Sequence, residues 1–285
     1  MEPPVRCDPF VFEVRDEDPI RGDVWRTEEP VRGAAIVVCH GFKGFKDWGF
    51  FPYLCRALAH RTGCPVVSFN FTGSGIGQDL QNFTELERFA RNTFSRELED
   101  LEAVLDRLST GGLGHVRLPP AERYGLLGHS RGGATALLKA ALRSQVRALV
   151  TWAAIASVGR YETVYGPELR STGVVYIPNV RTGQQMPLRR NVLDDIRAHP
   201  DRLDLPAAAS RLRVPYLIVH GEADEAVPVA DARALAAAAE DARLELIAGA
   251  GHTLNVGHPF SGPSDALERA IALSADHFRA HLAEA

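Results

Sequence analysis

The sequence predicts an α/β fold: a mostly parallel, doubly wound sheet preceded by an antiparallel hairpin and interrupted by a small inserted cap. Three observations predict it. Apolar strand-like runs alternate with amphipathic helical stretches over most of the chain, which requires parallel strands joined by crossover helices. Several of the strand runs are continuously apolar rather than alternating, as in strands covered on both faces. The alternation lapses from about Ser157 to Ser210, where prolines recur at 167, 178, 187, 200 and 206, and then resumes.

The elements follow in order. Phe10 to Arg15 and Gly22 to Thr27 alternate in polarity across turn-prone Asp16 to Pro19 and read as the hairpin. Ala35 to Cys39 is a β-branched run, followed by Phe51, Leu54, Cys55, Leu58 and Ala59 at helical spacing. Pro65 to Phe71 is the next strand, and Phe94, Leu98, Leu101, Val104, Leu105 and Leu108 line one face of the next helix. Tyr124 to Gly128 leads into a helix from Arg131 with Leu137, Leu138, Ala141 and Leu142 expected inward; Ala148 to Ala154 is a further strand. After the cap come the strand Val214 to Gly221, an Ala-rich helix from about Val229 to Ala239 and the strand Leu244 to Ala248. A last helix has Leu267, Ile271, Ser274, Phe278 and Leu282 in register. Without an internal repeat or an intervening linker, residues 1–285 read as one domain with a cap at about 157–210.

Composition narrows the function. With 285 residues, 45% hydrophobic and 24% charged, the chain can bury a sizeable core and is not a disordered or fibrous protein. A net charge of −4 supplies no field for gathering nucleic acid. No apolar run approaches the roughly 20 residues of a membrane helix, and the first twenty residues carry acids and prolines instead of a signal peptide. A soluble, cytoplasmic protein is expected, with homo-oligomerisation left open. The four cysteines, 7, 39, 55 and 64, form no CxxC pair and read as reduced, mostly buried thiols.

The chemistry begins at Gly128-His129-Ser130-Arg131-Gly132, where a buried strand turns abruptly into a helix. That is the context a G-x-S-x-G sequence needs: small residues allow close backbone approach, and the strained turn lifts the serine hydroxyl above the sheet. The following helix offers free N–H groups and the positive end of its dipole to a developing anion. A serine that merely capped the helix would need no partners, whereas a nucleophile needs a base and an orienting acid. Carboxylates at Glu222, Asp224 and Glu225 follow the strand ending near Gly221, with Asp231 just beyond. Gly249-Ala250-Gly251-His252 follows the next strand, 28 residues after Asp224. Loops after parallel strands open on one edge of the sheet, so the serine, one of these carboxylates and His252 can converge there.

The elbow, with Ser, Asp and His in that chain order, resembles the serine hydrolases of the α/β-hydrolase superfamily over about residues 10–282. The resemblance implies the α/β-hydrolase fold, Ser130 as nucleophile and His252 as general base and then acid. It singles out Asp224, because the His-Gly-x-x-Asp pattern with Val-Pro three residues later falls on it. His40-Gly41-Phe42-Lys43-Gly44 resembles the superfamily's oxyanion loop, which makes the Phe42 amide one donor and the Arg131 amide the other. The loop and modest cap most resemble the esterase and dienelactone-hydrolase-like branch, including feruloyl-esterase-like and prolyl-oligopeptidase-like members; dienelactone hydrolases proper use Cys where this chain has Ser130. The implied activity is hydrolysis of small to medium carboxylic esters through an acyl-serine. An acyltransferase or peptidase would use the same triad, and a non-catalytic binding protein would use the same fold.

Other features carry less. Gly73-Ser74-Gly75-Ile76-Gly77 lacks the G-x-G-x-x-G spacing of a dinucleotide loop, and Thr72 stands where the superfamily commonly has Arg. His277 and His281, four apart on the last helix, lack a third ligand and read as a solvated face rather than a metal site. No metal or cofactor is expected. Lys43 and Lys46 read as solvent-exposed and receive no role. Phe42, Phe45, Trp48, Phe50 and Phe51 suggest an apolar cleft; with Phe50 and Phe51 assigned to the helix core, Phe45 and Trp48 remain as substrate contacts, closed over by Tyr161 and Tyr165 of the cap.

Overall fold

The computed structural model of the chain describes residues 4–15, 18–179 and 182–282. Strands β1 (Arg6–Arg15) and β2 (Asp18–Arg26) form the hairpin, with Phe10 opposite Gly22; Asp16 and Glu17 of the expected turn lie outside the described residues. The chain continues through β3 (Gly33–Cys39), α1 (Phe51–Thr62), β4 (Val66–Asn70), α2 (Leu86–Ala90), α3 (Phe94–Ser109) and the short pair β5 (Gly112–Leu113) and β6 (Val116–Arg117). Then come β7 (Ala121–His129), α4 (Arg131–Ala140) and β8 (Val146–Trp152). Between β8 and the next sheet strand lie α5 (Arg160–Thr172), the antiparallel pair β9 (Val174–Asn179) and β10 (Gln184–Arg189), α6 (Asn191–Ala198) and α7 (Leu205–Ser210). β11 (Tyr216–Gly221), α8 (Val229–Ala238), β12 (Ala242–Ile247) and α9 (Asp265–Leu282) complete the order.

One eight-stranded sheet runs β1-β2-β4-β3-β7-β8-β11-β12. The β1–β2 and β2–β4 pairs are antiparallel, and every pair from β4 to β12 is parallel. From β3 the chain moves first to β4 on one side and later to β7 on the other. This reversal of direction leaves a crevice beyond the C-terminal ends of β3 and β7, where Cys39 stands opposite Gly128.

Burial follows strand alternation. Ala35, Val37 and Cys39 join the core under α3 and α4, while Ala34, Ile36 and Val38 join the core under α1 and α9. The run is apolar throughout because both faces are covered. α1 stops at Gly63, whose left-handed φ of 71° suits glycine, and Thr93 caps α3 by accepting the Arg96 amide at 3.2 Å. Leu142, expected inward, is 62% exposed because α4 ends at Ala140 and the chain has already turned away. Lys46 also departs from expectation: its side chain is buried, with Nζ 2.5 Å from Asp23 and 2.7 Å from Asp47.

The segment after β8 is tied to the body at several points. α6 meets α3, where the Ser95 amide donates to Asp195 at 3.1 Å, and α2 packs on β10. α7 packs on α4 and α8, the position of a crossover helix between β8 and β11. Among the described residues no helix is long and apolar enough to cross a membrane.

Candidate active site

Ser130 closes β7 and opens α4 with φ 56° and ψ −121°, a conformation that costs a non-glycine residue about 1–3 kcal/mol. The surrounding glycines explain how the turn fits. A Cβ on Gly128 would lie 2.2 Å from the Gly132 carbonyl oxygen, and one on Gly132 would lie 2.3 Å from that of His40. The elbow and the loop after β3 therefore interlock through bare backbone, which leaves Ser130 partly accessible beside Gly41.

A carboxylate and an imidazole come to the cleft from the loops after β11 and β12. Asp224 Oδ1 accepts the amides of Ala226 and Val227 at 2.8 and 2.9 Å, and Oδ2 lies 2.8 Å from His252 Nδ1. The Asp224 side chain is fully buried, and His220 Nε2 approaches the same Oδ2 at 3.4 Å. Burial alone would raise its pKa, but the hydrogen bonds from His220, His252 and the Val227 amide outweigh that and hold the carboxyl well below the usual range. An ionised acceptor at Oδ2 fixes the His252 proton on Nδ1 and leaves Nε2 free to act as a base. Asn255 braces the histidine loop, accepting from the Gly251 amide at 2.9 Å and donating to the Gly249 carbonyl at 3.1 Å.

The rival carboxylates do other things. Glu222 and Glu225 are exposed, and Asp231 accepts the Ala156 amide at 2.9 Å. His40, buried at the end of β3, donates from Nδ1 to the Gly41 carbonyl at 2.9 Å and accepts the Phe71 amide on Nε2 at 3.2 Å. It ties the loop after β3 to the one after β4. The His277 and His281 rings meet edge to face at 4.8 Å, and His277 Nε2 donates to the Pro215 carbonyl at 3.2 Å.

Two cavities of about 350 Å³ each meet at the serine. Ser130, His252, Phe42 and Lys43 line both. The first continues past Trp48, Phe51, His129 and His258; the second past Arg131, Arg160, Tyr161 and Tyr165. Phe42 has no hydrogen-bond acceptor for its amide among the described residues, and Arg131, as the first residue of α4, has none inside its helix. Both donors border the serine.

Of the expected substrate contacts, Trp48, Tyr161 and Tyr165 line these cavities. Phe45 does not. It is fully buried in a separate cluster with Ile76, Phe83, Phe89 and Met186, because α2 and β10 fold over the loop that carries it. Phe51, assigned to the core, reaches the cleft as well.

Two residues have structural roles that the sequence did not reveal. The buried His129 donates from Nε2 to the His252 carbonyl at 2.9 Å, and its ring lies 4.8 Å from the His252 ring. Burial, reinforced by His252, pushes its pKa down to about 3, so it is neutral. The Arg131 side chain is buried beneath the cleft and donates to the Tyr161 hydroxyl at 3.0 Å. Its Nε lies 2.8 Å from Glu97 Oε1, an ion pair in which the N–H does not point along a hydrogen bond. The guanidinium also sits 4.0 Å over the Phe94 ring. A G-x-S-x-G pattern leaves both positions free, so only the packed structure reveals them.

The family model described as the alpha/beta hydrolase family matches residues 36–269. Est1E from Butyrivibrio proteoclasticus superposes with a TM-score of 0.68 at 18% identity, covering 97% of this chain and 99% of that one. An esterase domain of a Rhodothermus marinus protein gives 0.65 at 22% identity over 98% and 100%. A dienelactone hydrolase from Anabaena variabilis gives 0.63 at 17% identity over 99% of both chains. At these identities the likeness is one of fold. No curated protein sequence matches the chain.

Proposed function

The chain belongs to the alpha/beta hydrolase family, and on that premise we propose that it is a serine hydrolase cleaving small to medium carboxylic esters through an acyl-Ser130 intermediate. One observation carries the reading: Ser130, held in a strained elbow, shares its cleft with a histidine whose Nδ1 is 2.8 Å from a buried carboxylate.

His252 Nε2 takes the Ser130 proton as Oγ attacks the ester carbonyl, and Asp224 stabilises the imidazolium that forms. The amides of Phe42 and Arg131 donate to the oxyanion, each such donor being worth about 2.7–4 kcal/mol. The imidazolium then protonates the departing alcohol. Water, deprotonated by the same imidazole, attacks the acyl-enzyme and releases the acid. The two cavities flanking Ser130 give the acyl and alcohol parts separate places, and their volumes suit modest substrates. We also propose that the segment at about 157–210 acts as the cap, because Tyr161 and Tyr165 of α5 form one wall of the second cavity.

A panel of 4-nitrophenyl esters tests the reading, with wild type compared against Ser130→Ala. Turnover by wild type and a loss of at least about a thousandfold in the variant are expected. Full activity in the variant, or none in wild type, overturns it. Added alcohols or amines, with products followed by mass spectrometry, separate hydrolysis from acyl transfer.

A further inference from the structure

The following inference deepens that reading and rests on it. No Asp or Glu is among the described residues lining either cavity, whereas Lys43 lines both and Arg160 lines the second. The chain has three lysines. Lys46 lies against Asp23 and Asp47, and Lys139 lies 2.5 Å from Glu102. Lys43 has no such partner among the described residues: its Nζ donates to the Pro178 carbonyl, at 3.3 Å.

The backbone at Lys43 is also unusual. Its φ is 57°, the left-handed region that favours glycine. A long charged side chain is thus held in a strained loop that lines both cavities. Burial lowers its pKa, as expected for a cation that has lost water and gained no counter-charge.

Arg160 of the second cavity likewise has no acidic partner among the described residues. Its Nη2 donates to the Ala226 carbonyl at 2.9 Å. Arg131 lines the same cavity, but Glu97 meets its charge. Tyr165 adds a hydroxyl whose pKa is raised by burial, so it stays a donor. The cavity is therefore cationic in a chain whose net charge is −4, an arrangement that draws anions to this place rather than to the surface at large.

We propose that the cavity between Lys43 and Arg160 is an anion subsite, and that the preferred substrate is an ester carrying a free carboxylate on the part seated there. The Arg160 guanidinium presents a fork that suits a carboxylate, and the Lys43 ammonium supplies a second charge next to the reacting serine.

Two matched pairs of esters test this. In one pair the charge is on the acyl side, the mono-4-nitrophenyl ester of adipic acid against that of its monoamide. In the other it is on the alcohol side, the acetate of 4-(hydroxymethyl)benzoate against that of 4-(hydroxymethyl)benzamide. In one pair the charged member should have the higher kcat/KM, by about ten- to a hundredfold, the range of a hydrogen bond to a charged group. Lys43→Met and Arg160→Met should each bring that ratio close to one. Raising salt to about 1 M, where the screening length is about 3 Å, should narrow the ratio in wild type without any substitution. Neutral members cleaved as well as charged ones in both pairs, or a ratio that survives both substitutions and high salt, would overturn the subsite alone. If no ester is cleaved and a fluorophosphonate leaves Ser130 unlabelled, the hydrolase reading has failed and this inference falls with it.

Discussion

Replacing Asp224 by Asn barely alters the shape of the side chain, yet the structure dictates a large effect. Oδ1 of the native carboxylate faces the Ala226 and Val227 amides, which can only donate. In the Asp224→Asn variant the side-chain amide must turn its oxygen to them, so its NH₂ faces His252 Nδ1, 2.8 Å away in the native site. Nδ1 then has to accept, which moves the ring proton to Nε2, the nitrogen that must take the Ser130 proton. The charge is lost as well. At an effective dielectric near 20 a carboxylate about 4 Å from the imidazolium charge is worth about 4 kcal/mol, or roughly a thousandfold in rate. Because the tautomer and charge effects overlap, we expect kcat to fall by about 10³–10⁴. Steady-state and pre-steady-state hydrolysis of a 4-nitrophenyl ester measures it, with thermal melting to show that the variant is folded. Glu222→Gln and Glu225→Gln, at exposed positions of the same loop, should stay within about threefold of wild type. A folded Asp224→Asn variant within tenfold of wild type, or an equal loss from either glutamate, would refute the reasoning.

Two further predictions concern the scaffold around the site. With a folded pKa of about 3 against an ordinary value of about 6.5, His129 binds less proton in the folded state, so stability falls as pH drops from about 6.5 towards 3. His129→Gln keeps a donor for the His252 carbonyl but does not titrate. Between pH 7 and pH 4 it should lose about 3 kcal/mol less stability than wild type in urea titrations, and equal losses would contradict the assignment. Gly132→Ala would put a Cβ 2.3 Å from the His40 oxygen and 2.5 Å from that of Cys39. Both are backbone atoms that cannot swing aside, so a cost of about 3 kcal/mol or more is expected, lowering Tm by about 6 °C or more or preventing folding. An unchanged melting curve would show that the elbow is looser than described.

The parts legible in the sequence share a physical origin. Ser130, Asp224 and His252 each follow a strand, and once the strands are read as parallel their loops must open on the same edge. The helices at 51–62, 94–109 and 265–282 were legible from apolar spacing because each buries one stripe against the sheet. Lys46 and Phe45 are misread because their burial is decided by distant segments. Lys46 looked solvated because nothing nearby in the chain shows that Asp23, on β2, closes over it. Phe45 looked available because α2 and β10, which cover it, come from two other stretches of the chain. Leu142 fitted the helical period, but the helix stops two residues earlier. The β9–β10 pair lay in the segment where alternation lapses, between prolines at 178 and 187 that obscure it.

Everything in the proposed mechanism depends on the Ser130 hydroxyl being the group that the His252–Asp224 pair activates. Treating the folded protein with a fluorophosphonate and mapping the modified peptide by mass spectrometry tests that most directly. One adduct per chain is expected, on Ser130, forming at least about a hundredfold more slowly in His252→Ala. A protein that stays unmodified, carries the adduct on another residue, or reacts at the same rate without His252 would contradict the mechanism.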